Sequence, residues 1–148
     1  MTTIENFHDS HYFLSNFYIA PMRVDGKTFQ TNEHFFQANK SDDDATFELI
    51  RLAKTASQTK KLGREVPMRK NWENIKNEVM LKGLRAKFAL PDMRALLLET
   101  GDATLIEGNN WHDRYWGRCD CSQHGGVGEN WLGRLLMQVR EEIRKEQL

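Results

Sequence analysis

Thr31-Asn32-Glu33-His34-Phe35-Phe36-Gln37 carries the residue best suited to chemistry in this chain, Glu33. Glu33 falls in the first turn of a predicted helix, where the helix dipole favours the ionised carboxylate. Phe36, one turn on, would shelter it. A carboxylate in a half-apolar cleft can stabilise an oxocarbenium-like sugar or activate a water. Taken alone, a first-turn acid is explained as well by simple support of the helix. Trp111-His112-Asp113-Arg114-Tyr115-Trp116-Gly117 is a second such segment. Its aromatic faces suit a flat heterocycle or a sugar, and Asp113 could add a second carboxylate or bond ribose hydroxyls. The plain counterpart is a set of aromatic plugs beside an exposed Asp. In Arg69-Lys70-Asn71-Trp72-Glu73 a basic pair precedes a tryptophan at a helix start. That order suits phosphate binding with base stacking, or equally a packing anchor.

Two further groups bear on ligands. Cys119, Cys121 and His124, with His112 nearby, resemble a zinc set in composition. The Cys-x-Cys gap is tighter than zinc fingers use and no second Cys pair exists, so no metal is assigned. His124-Gly125-Gly126-Val127-Gly128-Glu129-Asn130 leads into the last helix and either offers backbone amides to a phosphate or is only a flexible turn. Gly26-Lys27-Thr28 lacks the earlier glycine of a phosphate-binding loop and belongs to a hairpin.

The elements that must position these residues are legible in outline. Phe17 to Val24, Asp25-Gly26 and Lys27 to Phe29 read as a β-hairpin with a primed turn. Thr31 or Asn32 can cap the helix that carries Glu33. Helices are predicted over 45–54, 57–64, from Trp72 to about Phe88, and over 92–100, where Gly101 would close the last of these. Thr104 to Glu107 is a candidate strand. Asn130 should cap an amphipathic helix that buries Leu132, Leu135, Leu136, Val139 and Ile143. Helices and strands are segregated, so the fold class is α+β and helix-rich: an N-terminal hairpin or small sheet with five or six helices.

The 148 residues, 39% of them hydrophobic, suit one domain over 1–148 with its own core. No apolar run approaches the ~20 residues of a membrane span. An N-terminus without a signal segment and two cysteines one residue apart lead to the expectation of a cytoplasmic protein. The net charge is +0 but uneven. Residues 54–87 hold ten Lys/Arg against three Asp/Glu, whereas residues 1–50 hold three against eight. The basic stretch either coats helix faces or meets a phosphate-bearing substrate. The overall balance ranks a nucleic-acid-binding scaffold last.

Taken in order, these segments resemble one family. Phe13-Leu14-Ser15-Asn16-Phe17, Asp25-Gly26-Lys27-Thr28, Glu33-His34-Phe35-Phe36-Gln37-Ala38, Leu62-Gly63-Arg64 and Arg69-Lys70-Asn71-Trp72-Glu73 follow the order of the YbiA-like, or NADAR, family. So do Lys87-Phe88, Asp113-Arg114-Tyr115-Trp116-Gly117 and Asn130-Trp131-Leu132-Gly133. The resemblance runs from about Ile4 to about Arg144, and the ordered set is far more specific than any one piece. It implies an N-glycosidase acting on a phosphorylated riboside. The substrate would be either an early riboflavin-pathway intermediate, releasing ribose 5-phosphate, or ADP-ribosylated guanine in nucleic acid, releasing ADP-ribose. By the same resemblance Glu33 and Asp113 are the catalytic carboxylates and Trp72 and Trp116 hold the base or sugar. Ser15, Asn16, Tyr115, Gly117 and Asn130 would line the pocket. No cofactor, membrane or obligate protein partner is implied. The alternative is a non-catalytic module that binds ADP-ribose or a nucleotide. One departure stands out: Arg118 to Gly128 is longer and richer in Cys and His than the short glycine loop the family pattern calls for.

Overall fold

The computed structural model describes residues 2–147. In chain order the elements are β1 (Thr3–Ile4), a 3-10 helix (Asp9–Leu14), β2 (Met22–Val24), β3 (Lys27–Phe29), α1 (Asn32–Ala38), α2 (Asp44–Arg51), α3 (Ala56–Glu65), α4 (Trp72–Ala89), α5 (Pro91–Glu99), β4 (Thr104–Leu105), β5 (Gly108–Asn109), β6 (Arg118–Cys119) and α6 (Trp131–Glu146). The expected α+β, helix-rich class holds. Two compact units share these elements: Asn16–Leu90 forms one, and the segments up to Ser15 and from Pro91 onward form the other.

In the 16–90 unit, β2 and β3 pair as the expected hairpin, with Met22 opposite Phe29. Asp25 and Gly26 both take positive φ, 52° and 81°, as a type I′ turn requires. The ladder begins at Met22, later than the sequence suggests, though the Ala20 amide still donates to Gln30 O at 3.0 Å. Thr31, not Asn32, caps α1, its hydroxyl accepting the His34 amide at 3.1 Å. Asp43 and Thr55 cap α2 and α3 in the same way. Every residue of α1 is buried, and α2, α3 and α4 all pack against it. The apolar cluster beneath it is built from Met22, Phe29, Phe35, Ala38 and Ile50, with Phe29 and Phe35 edge to face at 5.1 Å. Gly63 and Gly83 admit α3 and α4 to this close contact. A Cβ at Gly83 would collide with Asn32 Oδ1, and one at Gly63 with Gln37 Oε1.

In the other unit, β1 and β4 run parallel, with Ile4 opposite Leu105, and β5 and β6 form a second parallel pair. Neither short pairing declares itself in the sequence, since two residues show no periodicity. α6 packs on β4 and α5, and all five apolar residues expected on its inner face are buried. Asn130 stands at the N-cap position but does not cap. With φ at 56°, it sends Nδ2–H to Leu105 O and accepts the Glu107 amide at Oδ1, both at 2.9 Å. Gly133 completes this junction, because a Cβ there would meet Leu105 O.

Candidate active site

Glu33 lies in the first turn of α1 and is only 7% exposed. Its backbone N–H donates to Asn16 O at 3.0 Å, and its Oε2 accepts from Gln37 Nε2 at 2.8 Å. Glu33, Phe36, Gln37 and Lys40 recur at three- and four-residue steps and so share one face. Lys40 Nζ lies 5.7 Å from the Phe36 ring centroid, and Phe36 in turn meets Trp72 edge to face at 5.0 Å. Asn16, Glu33 and Trp72, picked from separate stretches of sequence, are therefore linked within one unit. Trp72 is buried at 4%. It stands at the first position of α4.

The electrostatics around Glu33 are cationic. Burial holds the Lys40 amine below its usual value; the Glu33 carboxylate opposes that shift, while Arg64 and Lys60 reinforce it. These three cations come from the end of α1 and from successive turns of α3. Arg69 holds the chain after α1: its amide donates to Lys40 O at 2.7 Å and its Nη1 to Asn39 O at 3.4 Å, while its buried Nε has no hydrogen-bond partner. The rest of the basic stretch divides. Lys76 and Lys82 pair with Glu73 and Asp25, and Lys61 and Lys70 face solvent.

Sequence reasoning passed over one group here, Lys87. It is fully buried on α4, with its Nζ 5.7 Å from the Tyr18 ring and 5.1 Å from the Phe88 ring. Burial pushes its amine down to about 7. The signal was available, since Lys87 is in helical step with Met80, Gly83 and Leu84 on the buried face.

Asp113, Tyr115, Trp116 and Gly117 lie in the second unit, on the loop before β6. Asp113 Oδ1 accepts the amides of Tyr115 and Trp116 at 3.0 and 2.9 Å, which closes an Asx-type turn. Tyr115 and Trp116 are half-buried and stack edge to face at 4.9 Å. A Cβ at Gly117 would strike Glu107 O, so that glycine serves a close backbone approach. Ser15 closes the 3-10 helix through its amide to Tyr12 O. The glycine-rich entry to α6 does not offer amides to a phosphate. Those of Glu129, Asn130, Trp131 and Leu132 donate to the carbonyls of Arg114, Gly117, Tyr115 and Trp116, and those of Gly125, Gly126 and Val127 are also used.

Comparison with known proteins places the chain in a family. Residues 4–144 match the NADAR domain model. The chain belongs to the NADAR family. It is 44% identical to N-glycosidase YbiA of Escherichia coli over 97% of its own length and 91% of that protein. The NMR structure of E. coli YbiA superposes with a TM-score of 0.84, covering 99% of this chain and 89% of that one at 43% identity. A riboflavin biosynthesis protein of Vibrio vulnificus is 39% identical over 93% of this chain, which corresponds to 37% of that longer protein. This NADAR chain is thus a hydrolase acting on N-glycosyl bonds. Among the described residues, no helix is long and apolar enough to cross a membrane.

Proposed function

We propose that this chain hydrolyses the N-ribosidic bond of a phosphorylated riboside, an early riboflavin-pathway intermediate, and releases ribose 5-phosphate. The observation that carries the reading is a buried carboxylate, Glu33, which acts on the Lys40 amine together with Arg64 and Lys60. Loss of the base builds positive charge on the sugar, which an adjacent carboxylate stabilises. The phosphate two bonds from the ring carbon needs cations within reach, and a neutral sugar would not. Gln37 holds Oε2 of Glu33 and so aims the group. We assign Glu33 to the developing cation and to activation of water. Asn16, whose carbonyl accepts the Glu33 amide, is assigned to the pocket lining. The name of the Vibrio relative favours the riboflavin substrate over ADP-ribosylated guanine.

The test supplies both substrates in parallel and follows release of ribose 5-phosphate or ADP-ribose. The expected result is ribose 5-phosphate from the riboflavin intermediate, with turnover by Glu33→Gln reduced ~10²–10⁴-fold and binding kept. Undiminished hydrolysis by that variant refutes the role of Glu33. Release of ADP-ribose alone transfers the assignment to the modified guanine. Stoichiometric ADP-ribose binding without cleavage of either substrate makes the protein a binding module.

A further inference from the structure

The long loop that departs from the family pattern brings three metal-ligating side chains to a fourth, His112, on the loop before β6. His112, Cys119, Cys121 and His124 place one ligand atom each within 4.8 Å of all the others. His112 Nδ1 and His124 Nδ1 are 3.3 Å apart, and Cys121 Sγ lies 3.4 Å from the first and 3.1 Å from the second. Cys119 Sγ lies 3.9 Å from His112 Nδ1 and 3.0 Å from Cys121 Sγ. A tetrahedral zinc ion with bonds of ~2.3 Å to sulfur and ~2.05 Å to nitrogen implies edges of about 3.3 Å between nitrogens, 3.6 Å between nitrogen and sulfur, and 3.8 Å between sulfurs. The nitrogen pair matches, and the nitrogen–sulfur distances bracket their value. The sulfur pair must open by about 0.8 Å, which two thiolates drawn onto a dication would do, and the Cys119–His124 edge lies within 4.8 Å.

From this geometry we infer that His112, Cys119, Cys121 and His124 form a structural site for a zinc ion. Sequence spacing argued against it, because a finger takes each cysteine pair from a two-to-four-residue knuckle. Here the backbone supplies the convergence instead. Cys119 is buried on β6, its N–H donating to Val127 O at 3.0 Å and its carbonyl accepting from Gly126. Cys121 O accepts the amides of His124 and Gly125 at 3.1 and 2.9 Å, so the chain turns back at once. Gly125 and Gly126 supply the positive φ, 59° and 85°, that this return needs. His112 comes in from the neighbouring loop, itself at φ 71°.

Four protein ligands fill a tetrahedral zinc, so no position is left for substrate and the site is structural. Two thiolates also neutralise the dication, and two neutral imidazoles suit its borderline softness. Its position indicates its effect. His112 directly precedes Asp113, so the metal ties the turn that carries Tyr115 and Trp116 to the loop after β6. Metal binding at such a site is coupled to local folding.

The experiment measures zinc in protein purified under reducing conditions, then replaces it with cobalt(II). The expected result is one zinc per chain and a cobalt spectrum with thiolate charge-transfer bands and the strong visible absorption of a tetrahedral ion. Removal by a chelator should lower Tm by about 5–10 °C, and added zinc should restore it. Cys121→Ser and His124→Asn alter partly exposed positions, and each should lose the metal with the far-UV circular dichroism kept. If either variant fails to fold, the charge-transfer bands of the unaltered protein decide the question. Zinc content near zero, cobalt bound without thiolate bands, or metal retained in full by both variants would overturn the site. So would a Cys119–Cys121 disulfide in protein whose thiols are blocked at lysis.

Discussion

Replacing Lys87 by Met removes a buried amine while filling nearly the same space. In the fold this amine is fully buried and titrates at about 7, against 10.5 for an unburied lysine. The difference is about 3.5 pH units, worth about 5 kcal/mol at ~1.36 kcal/mol per unit. The sign follows from where the proton resides. Below pH 7 both folded and unfolded chains hold it, and the folded state bears the whole cost of a buried ammonium. Between about 7 and 10.5 the unfolded chain holds a proton that the folded one has released, so stability climbs with pH. From pH 6 to pH 9 the climb from this group comes to roughly 2–3 kcal/mol. Lys87→Met lacks it. Urea denaturation of both proteins, followed by circular dichroism across that range, should show the variant's advantage shrinking by this amount as pH rises. The comparison cancels every other titrating group. It also cancels pH-independent losses of packing. Parallel stability curves for the two proteins would refute the reasoning.

Four further outcomes are expected. Asp113→Asn keeps an Oδ1 acceptor for the Tyr115 and Trp116 amides, so it should retain most activity, whereas Asp113→Ala should lose it; equal loss in both would make Asp113 a catalytic carboxylate. Thr31→Val removes the cap of α1 and the hydroxyl that bonds His34 Nδ1 at 2.8 Å. Its cost in urea denaturation should be about 1–2 kcal/mol. Gly83→Ala should destabilise by about 1–3 kcal/mol despite alanine's better helix propensity, because its methyl meets Asn32 Oδ1 and the Phe35 ring; an unchanged urea midpoint would mean the helices simply move apart. Lys40→Met should raise KM about tenfold for the phosphorylated riboside with little change in kcat, and less so at high salt. An unchanged KM at low salt would detach Lys40 from the phosphate.

Much of this protein is written locally. Alternation and an Asp-Gly turn announce the hairpin, and apolar residues at helical spacing announce α6. The cap at Thr31 and the start of α4 at Trp72 were readable for the same reason: each depends on neighbours within four residues. Motif order also marked Glu33 and its companions as one set. What the sequence by itself could not determine is what each side chain meets. Asn130 has the residue type of a cap, yet its amide spans Leu105 and Glu107, a choice made by a strand 25 positions away. Glycine-rich residues 124–130 suggested free amides, but the carbonyls of 114–117 take up those that open α6. Residue type alone grouped His112 with Cys121, against a spacing that spoke for no metal, and only the fold brings nitrogen and sulfur to 3.4 Å. Local propensity acts over a turn or two of chain, whereas burial, charge environment and ligand geometry depend on distances that close only when remote segments pack.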